Sequence, residues 1–158
     1  MAEPGPPGIL RVWRNLHLVD ALVCEELNAT LAARVGCTLV EYDLLAWVFA
    51  APSQRMRMLE LARLLRVTPG GLTRIVDRTV KAGWIRRDRP ADNRREVYAV
   101  LTDEGRALLR SARPAYLGVL QEMIAGQLAG ADLAALLDVS GKLLDRISGS
   151  PAGRSIAP

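Results

Sequence analysis

The sequence predicts a mainly α-helical chain interrupted once, past its middle, by a small β-hairpin. Three observations carry that expectation. Apolar residues recur at helical spacing over most of the 158 residues. A hydroxyl-then-proline pair, Thr68-Pro69, marks one helix start sharply. Two β-prone runs, Trp84 to Arg87 and Glu96 to Leu101, flank a turn holding proline, aspartate and asparagine.

Taken in order, residues 1–8 hold three prolines and read as a disordered tail. From Ile9 to Val35 a stripe of Val12, Leu16, Val19, Val23, Leu27, Leu31 and Val35 predicts one long helix, ended by Gly36. A second helix is expected from about Leu39 to Ala50, closed by Pro52. Arg57 to Leu65 gives a third, with Leu59, Ala62 and Leu65 facing inward. The fourth starts at Thr68-Pro69, runs to about Ala82 and stops at Gly83. After the hairpin, Thr102 to Gly105 opens a helix reaching about Gln127, with Pro114 inside it as a kink or register adjustment. A last helix covers roughly Gly130 to Ile147, and residues 148–158 read as a flexible tail.

The centre of this order, residues 36–102, is that of a winged helix-turn-helix. The outer segments, residues 9–35 and 103–147, predict a helical dimerisation region. Stripes such as Leu108, Leu109, Leu117, Leu120 and Ile124, then Leu133, Leu136, Leu137, Leu143 and Leu144, are too apolar for water, and a second copy of the chain covers them most economically. The other arrangement is that they pack on each other within one chain.

Composition narrows the function. Half hydrophobic and a quarter charged, the chain is expected to fold, and its apolar stretches are too short to span a bilayer. With no basic, apolar leader at its start, a cytoplasmic location and no membrane partner are expected. No P-loop, nucleophile elbow or histidine-rich metal motif is present, and the single histidine has no evident partner, which speaks against an enzyme. The net charge of +4 is modest, but eight basic residues fall between Arg74 and Arg95 against three acids, Asp77, Asp88 and Asp92. That clustering points to double-stranded DNA.

Arg66-Val67-Thr68 is a turn of helix-turn-helix length, so the fourth helix is the one expected in a major groove. Its early exposed positions are Thr68, Pro69, Gly70, Gly71, Thr73 and Arg74, with Arg78 one turn beyond, while Leu72, Ile75 and Val76 face the core. The two glycines weaken the helix by roughly 1 kcal/mol each relative to alanine, yet let the backbone approach a phosphate. The hairpin tip carries Arg86, Arg87, Arg89, Arg94 and Arg95 within ten residues, a charge pattern suited to a wing lying along DNA and entering the minor groove. Asp92, between these arginines, is expected to pair with Arg94 and fix the tip.

Several of these segments together resemble the MarR (multiple antibiotic resistance regulator) family. They are Leu59 to Leu65, Leu72 to Arg78, Lys81 to Arg87, Asp92 to Arg95 and Leu101 to Gly105, in the family's order and spacing. The resemblance implies a homodimeric transcriptional regulator, taken here as a repressor, whose two winged lobes straddle a pseudo-palindromic operator. It also implies that Asp92 and Arg94 are the wing's aspartate–arginine pair, with Arg94 in the minor groove. Pro69 departs from the polar or basic residue often found there, so the operator sequence does not carry over.

The resemblance further implies release from DNA by a small phenolic or aromatic-carboxylate effector, salicylate- or urate-like, with no cofactor required. Matching positions are Trp13, Arg14 and His17 of the first helix, Asp43 and Trp47 of the second, and Arg86 at the wing base. The alternative for these aromatics is plain core packing. A redox- or metal-responsive regulator of the same fold would instead use Cys24, Cys37 or His17. Neither cysteine has the basic neighbour that favours a thiolate.

Overall fold

The computed structural model describes residues 6–91, 93 and 96–148, of which the side chains of Pro6 and Ser148 are not described. Six helices and three strands follow one another as α1 (Pro6–Val35), α2 (Leu39–Ala50), β1 (Arg55–Arg57), α3 (Met58–Leu64), α4 (Pro69–Lys81), β2 (Ile85–Asp88), β3 (Tyr98–Leu101), α5 (Asp103–Met123) and α6 (Gly130–Ser148). The fold class is the expected one. The first helix begins earlier than the disordered tail expected over residues 1–8 allowed: Pro6 and Pro7 open it, since a helix's first-turn N–H groups have no intrahelical partner to lose.

Strand β1 is the element the sequence did not announce. It pairs antiparallel with β3, Arg55 opposite Val100 and Arg57 opposite Tyr98, making a three-stranded sheet in the order β1-β3-β2. Three residues suffice because the partner strand supplies the hydrogen bonds. Arg57 is therefore strand, and α3 begins one residue later than expected. Leu59 is a second correction, being 61% exposed. The inward stripe of α3 is Met58, Leu61, Ala62 and Leu65, spaced i, i+3, i+4 and i+7. Leu59 stands about 100° around the helix from Met58.

The main core joins α2, α3, α4 and the sheet through Leu44, Leu45, Val48, Leu61, Leu72, Val76, Ile85 and Leu101, to which α1 adds Leu31. Leu72, Ile75 and Val76 face inward as expected. A smaller core of Val23, Leu27 and Val119 locks α1 to α5. Between Val23 and its start, α1 buries no apolar side chain among the described residues. Val12, Leu16 and Val19 are exposed, as are Leu133, Leu136, Leu137, Leu143 and Leu144 of α6. Helix α5 runs unbroken through Pro114 and ends at Met123 rather than near Gln127, a single 3₁₀ turn covering Ala125–Gln127.

Turn chemistry fixes the joints that position the winged lobe. Thr38 caps α2 in a capping box with Glu41, whose carboxylate accepts from the Thr38 backbone N–H at 2.9 Å. Thr102 caps α5, accepting from the Gly105 N–H, and donates its hydroxyl to the Gly83 carbonyl at 2.7 Å. Gly105 packs directly on the backbone of Trp84, where a Cβ would lie 2.2 Å from the carbonyl oxygen. The sequence Leu101 to Gly105 is thus a clasp between α5 and the turn that follows α4.

Candidate nucleic-acid interface

The start of α4 is built as a surface. Thr68 accepts from the Gly71 N–H at 3.1 Å, and Pro69 takes the first helical position. Thr68, Pro69, Gly70, Thr73, Arg74 and Arg78 are exposed, while Gly71 is half-buried. The two glycines differ. A Cβ at Gly71 would press on the capping oxygen of Thr68 at 3.2 Å, whereas one at Gly70 would meet open space. Packing does not demand the bareness of Gly70, so it leaves the backbone open to an outside partner. Thr73 donates its hydroxyl to the Pro69 carbonyl at 3.0 Å, which turns its acceptor lone pairs outward.

The arginines divide into those held within the chain and those left facing water. Arg78 donates from Nε to Oε1 of Glu41 at 2.8 Å, tying α4 to α2, and Arg87 of β2 pairs with Asp77 of α4 at 2.5 Å. Arg86 lies 3.9 Å from Asp88. Arg74 and Arg89 are exposed and make no ion pair among the described residues. Asp92, Arg94 and Arg95, expected to complete the wing tip, lie outside the described residues.

Glu41 was missed at the sequence level although it is one of the best-held acids in the chain. Burial pushes its carboxyl up, but the Thr38 backbone N–H, Arg78 and the Thr38 hydroxyl outweigh this, leaving it below the ordinary range. Arg55, Arg57 and Tyr98 were missed as well, because the strand that carries two of them has no pattern of its own.

The expected effector residues are not gathered within one chain. Trp13 and His17 stack, ring centres 6.2 Å apart, on the exposed part of α1, and Arg14 is exposed beside them. Asp43 is half-buried on α2, and burial raises its carboxyl to about 6. Trp47 lines a cleft with Arg55, Met56, Glu60 and Leu64, in which none of the other five takes part. Arg86 stays on the wing. A different, open cleft of about 90 Å³ between α2 and α5 joins Tyr42, Phe49 and Leu109 to Arg106, Arg110 and Arg113. Apolar walls beside guanidinium groups suit a flat organic anion.

The cysteines sit where thiolates are disfavoured. Cys37 is buried and pushed up to about 11, and Cys24 is raised by burial and by Asp20, to which its thiol points at 3.8 Å. No group of three or more histidine, cysteine, aspartate or glutamate side chains able to hold a metal ion occurs among the described residues. Nor is any single helix there long and apolar enough to cross a membrane.

A helix-turn-helix with a bare, capped recognition-helix start, backed by a three-stranded basic wing, defines a winged helix-turn-helix DNA-binding protein. Known proteins agree. A MarR family profile matches residues 37–97. An HTH-type transcriptional repressor of Mycobacterium tuberculosis is 31% identical over 112 residues, 71% of this chain and 75% of the relative. A MarR family regulator from Streptomyces coelicolor, solved in complex with DNA, superposes with a TM-score of 0.78 at 28% identity, covering 92% of this chain and 94% of that one. A mutant E. coli MarR with operator DNA gives 0.75 at 26% identity, covering 90% and 99%. The chain belongs to the MarR family of DNA-binding transcriptional regulators.

Proposed function

We propose that the chain is a repressor that binds a pseudo-palindromic double-stranded operator as a homodimer and is released by a small aromatic carboxylate. The observation that carries the DNA reading is the exposed start of α4, where Gly70, Thr73 and Arg74 face outward and Arg74 makes no ion pair among the described residues. Relatives named as repressors, and structures of similar regulators on DNA, support the same reading.

The dimer is supported by the uncovered apolar faces of α1 and α6; in this reading residues 9–35 and 103–147 serve dimerisation and residues 36–102 bind DNA. A two-fold dimer presents two recognition helices related by symmetry, hence the pseudo-palindrome. The effector reading is supported by the α2–α5 cleft and its three arginines. The stacked pair Trp13 and His17 lies on the part of α1 that a second copy would cover.

The test is a gel shift on an operator selected from random-sequence duplexes, at two salt concentrations and with and without salicylate. Binding should fall steeply with salt, since neutralised phosphates release counterions. Arg94→Ala should weaken binding to all sequences alike, while Arg74→Ala should change which sequences are preferred. Failure to select any duplex would end the DNA reading. Sedimentation as a monomer at micromolar concentration would end the dimer, and salicylate without effect on the shift would end the choice of that effector class.

A further inference from the structure

We infer that Arg55, Arg57 and Tyr98 are positioning residues for DNA binding, a clamp on the outer face of the sheet that sets the direction of the wing. The inference rests on the reading above that the wing touches DNA.

Register places the clamp. Arg57 of β1 stands opposite Tyr98 of β3, and Tyr98 stands opposite Asp88 of β2, so one row of side chains crosses all three strands on one face. Arg55, two residues back along β1, shares that face. The opposite face carries Met56, Ala99, Ile85 and Leu101, which are buried. The outer row is therefore not required for the core.

Its contacts close on Tyr98. Arg57 donates from Nε to the Tyr98 hydroxyl at 2.9 Å, and that hydroxyl donates to Glu96 at 2.6 Å. The Arg57 Nη2 then reaches the other oxygen of Glu96 at 3.0 Å. Above the ring, the guanidinium of Arg55 lies 3.8 Å from the Tyr98 centroid and bridges to Asp88 at 3.0 Å. Nε of Arg55 is buried without a hydrogen-bond partner, so the tyrosine ring and Asp88 are what hold that guanidinium. Asp88 is the last residue of β2 and Glu96 lies just ahead of β3, at the two roots of the wing loop. Both roots are thus tied to β1, and β1 is continuous with α3 of the helix-turn-helix.

A wing held this way approaches DNA at a fixed angle to α4. Arg87 pairing with Asp77 of α4 fastens the inner face of the same hairpin. Two arginines are neutralised here by two carboxylates, which leaves the phosphates to Arg89 and to the rest of the tip.

The experiment compares Tyr98→Phe, Arg57→Lys, Arg57→Gln and Arg89→Ala on a duplex operator selected from a random pool. Affinity and hydroxyl-radical footprints are measured at two salt concentrations. Tyr98→Phe removes no charge, yet should weaken binding about fivefold, the loss of roughly one net hydrogen bond. It should also remove the wing's flanking protection while the central major-groove protection persists. Arg57→Lys should behave like Arg57→Gln, because an ammonium cannot hold the tyrosine and glutamate together.

Hydrogen exchange should show the wing-root amides opening faster with the helical core unchanged, which separates loss of position from loss of fold. Wild-type affinity and footprint in Tyr98→Phe would overturn the clamp. So would full rescue by Arg57→Lys of what Arg57→Gln loses, since that is the behaviour of a direct phosphate contact. If Arg89→Ala weakens binding while Tyr98→Phe does not, the clamp alone fails. If the wild-type footprint lacks flanking protection, the wing reading fails and the clamp with it.

Discussion

Glu41 of α2 and Arg78 of the recognition helix meet at 2.8 Å, thirty-seven residues apart in sequence, with the glutamate side chain only 7% exposed and the arginine 55%. The same carboxylate closes the capping box of α2 through the Thr38 N–H. One acid therefore sets where α2 begins and how α4 lies against it.

Glu41→Gln is expected to cost about 1–2 kcal/mol, since an amide can serve the cap or the guanidinium but not both as acceptor. The folded carboxyl titrates below its ordinary value, so its contribution is present above the unfolded pKa, near 4.3, and is lost as pH falls below it. Urea denaturation at pH 7 and at pH 3.5 should show the gap between wild type and variant narrowing in acid. A gap of constant size would show that Glu41 does not carry this linkage.

Gly105→Ala is expected to be more damaging than its small change suggests. The new methyl would lie 2.2 Å from the Trp84 carbonyl oxygen and 2.8 Å from Cδ1 of Leu101. The Trp84 carbonyl also accepts the Thr102 N–H at 3.1 Å, so the backbone is not free to retreat. A cost of about 2–3 kcal/mol follows from overpacking against main chain. Thermal denaturation that found the variant within a few tenths of a kcal/mol of wild type would show that the clasp has room to yield.

What the sequence reveals and what it hides follow one physical line. Helices with local signals were legible: Thr68-Pro69 for α4, and the apolar run closed by Pro52 for α2. So was the inward face of α4, because Leu72, Ile75 and Val76 repeat at helical spacing. Strand β1 was not, because Arg55, Met56 and Arg57 become a strand only through hydrogen bonds to β3, over forty residues on. The Glu41–Arg78 and Arg57–Tyr98 pairings are hidden for the same reason. The arginine cluster was legible as charge, but its division was not. Arg78 and Arg87 find carboxylates on neighbouring elements, and among the described residues Arg74 does not.

Asp43→Asn is expected to stabilise the protein at neutral pH. Burial raises the folded carboxyl to about 6, against about 4 in the unfolded chain. Here the protonated form is the one the fold prefers. Its advantage is complete below about pH 4 and is lost as pH rises through 6, so the ionised group opposes folding at pH 7 by about 3 kcal/mol. The asparagine variant should match wild type near pH 4 and exceed its melting temperature increasingly up to pH 7. An advantage that did not grow with pH would mean Asp43 ionises without cost.

Arg66→Gly, finally, is expected to stabilise the turn between α3 and α4. Arg66 has φ of 53°, in the left-handed region, where a Cβ crowds the backbone. Its N–H bonds to the Arg63 carbonyl and the next N–H to Ala62, the same pair of bonds made by Gly83 and Trp84 to Val80 and Thr79 after α4. The two turns share a geometry, but only the second has glycine, at φ of 80°. Glycine at Arg66 relieves the crowding and gives back part of the gain as unfolded-state entropy, a net of about 0.5–1 kcal/mol. Gly83→Ala should lose about 1 kcal/mol by the reverse argument. Chemical denaturation of both variants checks the pair. A loss of stability in Arg66→Gly would mean that the arginine side chain supplies more at this turn than its backbone conformation costs.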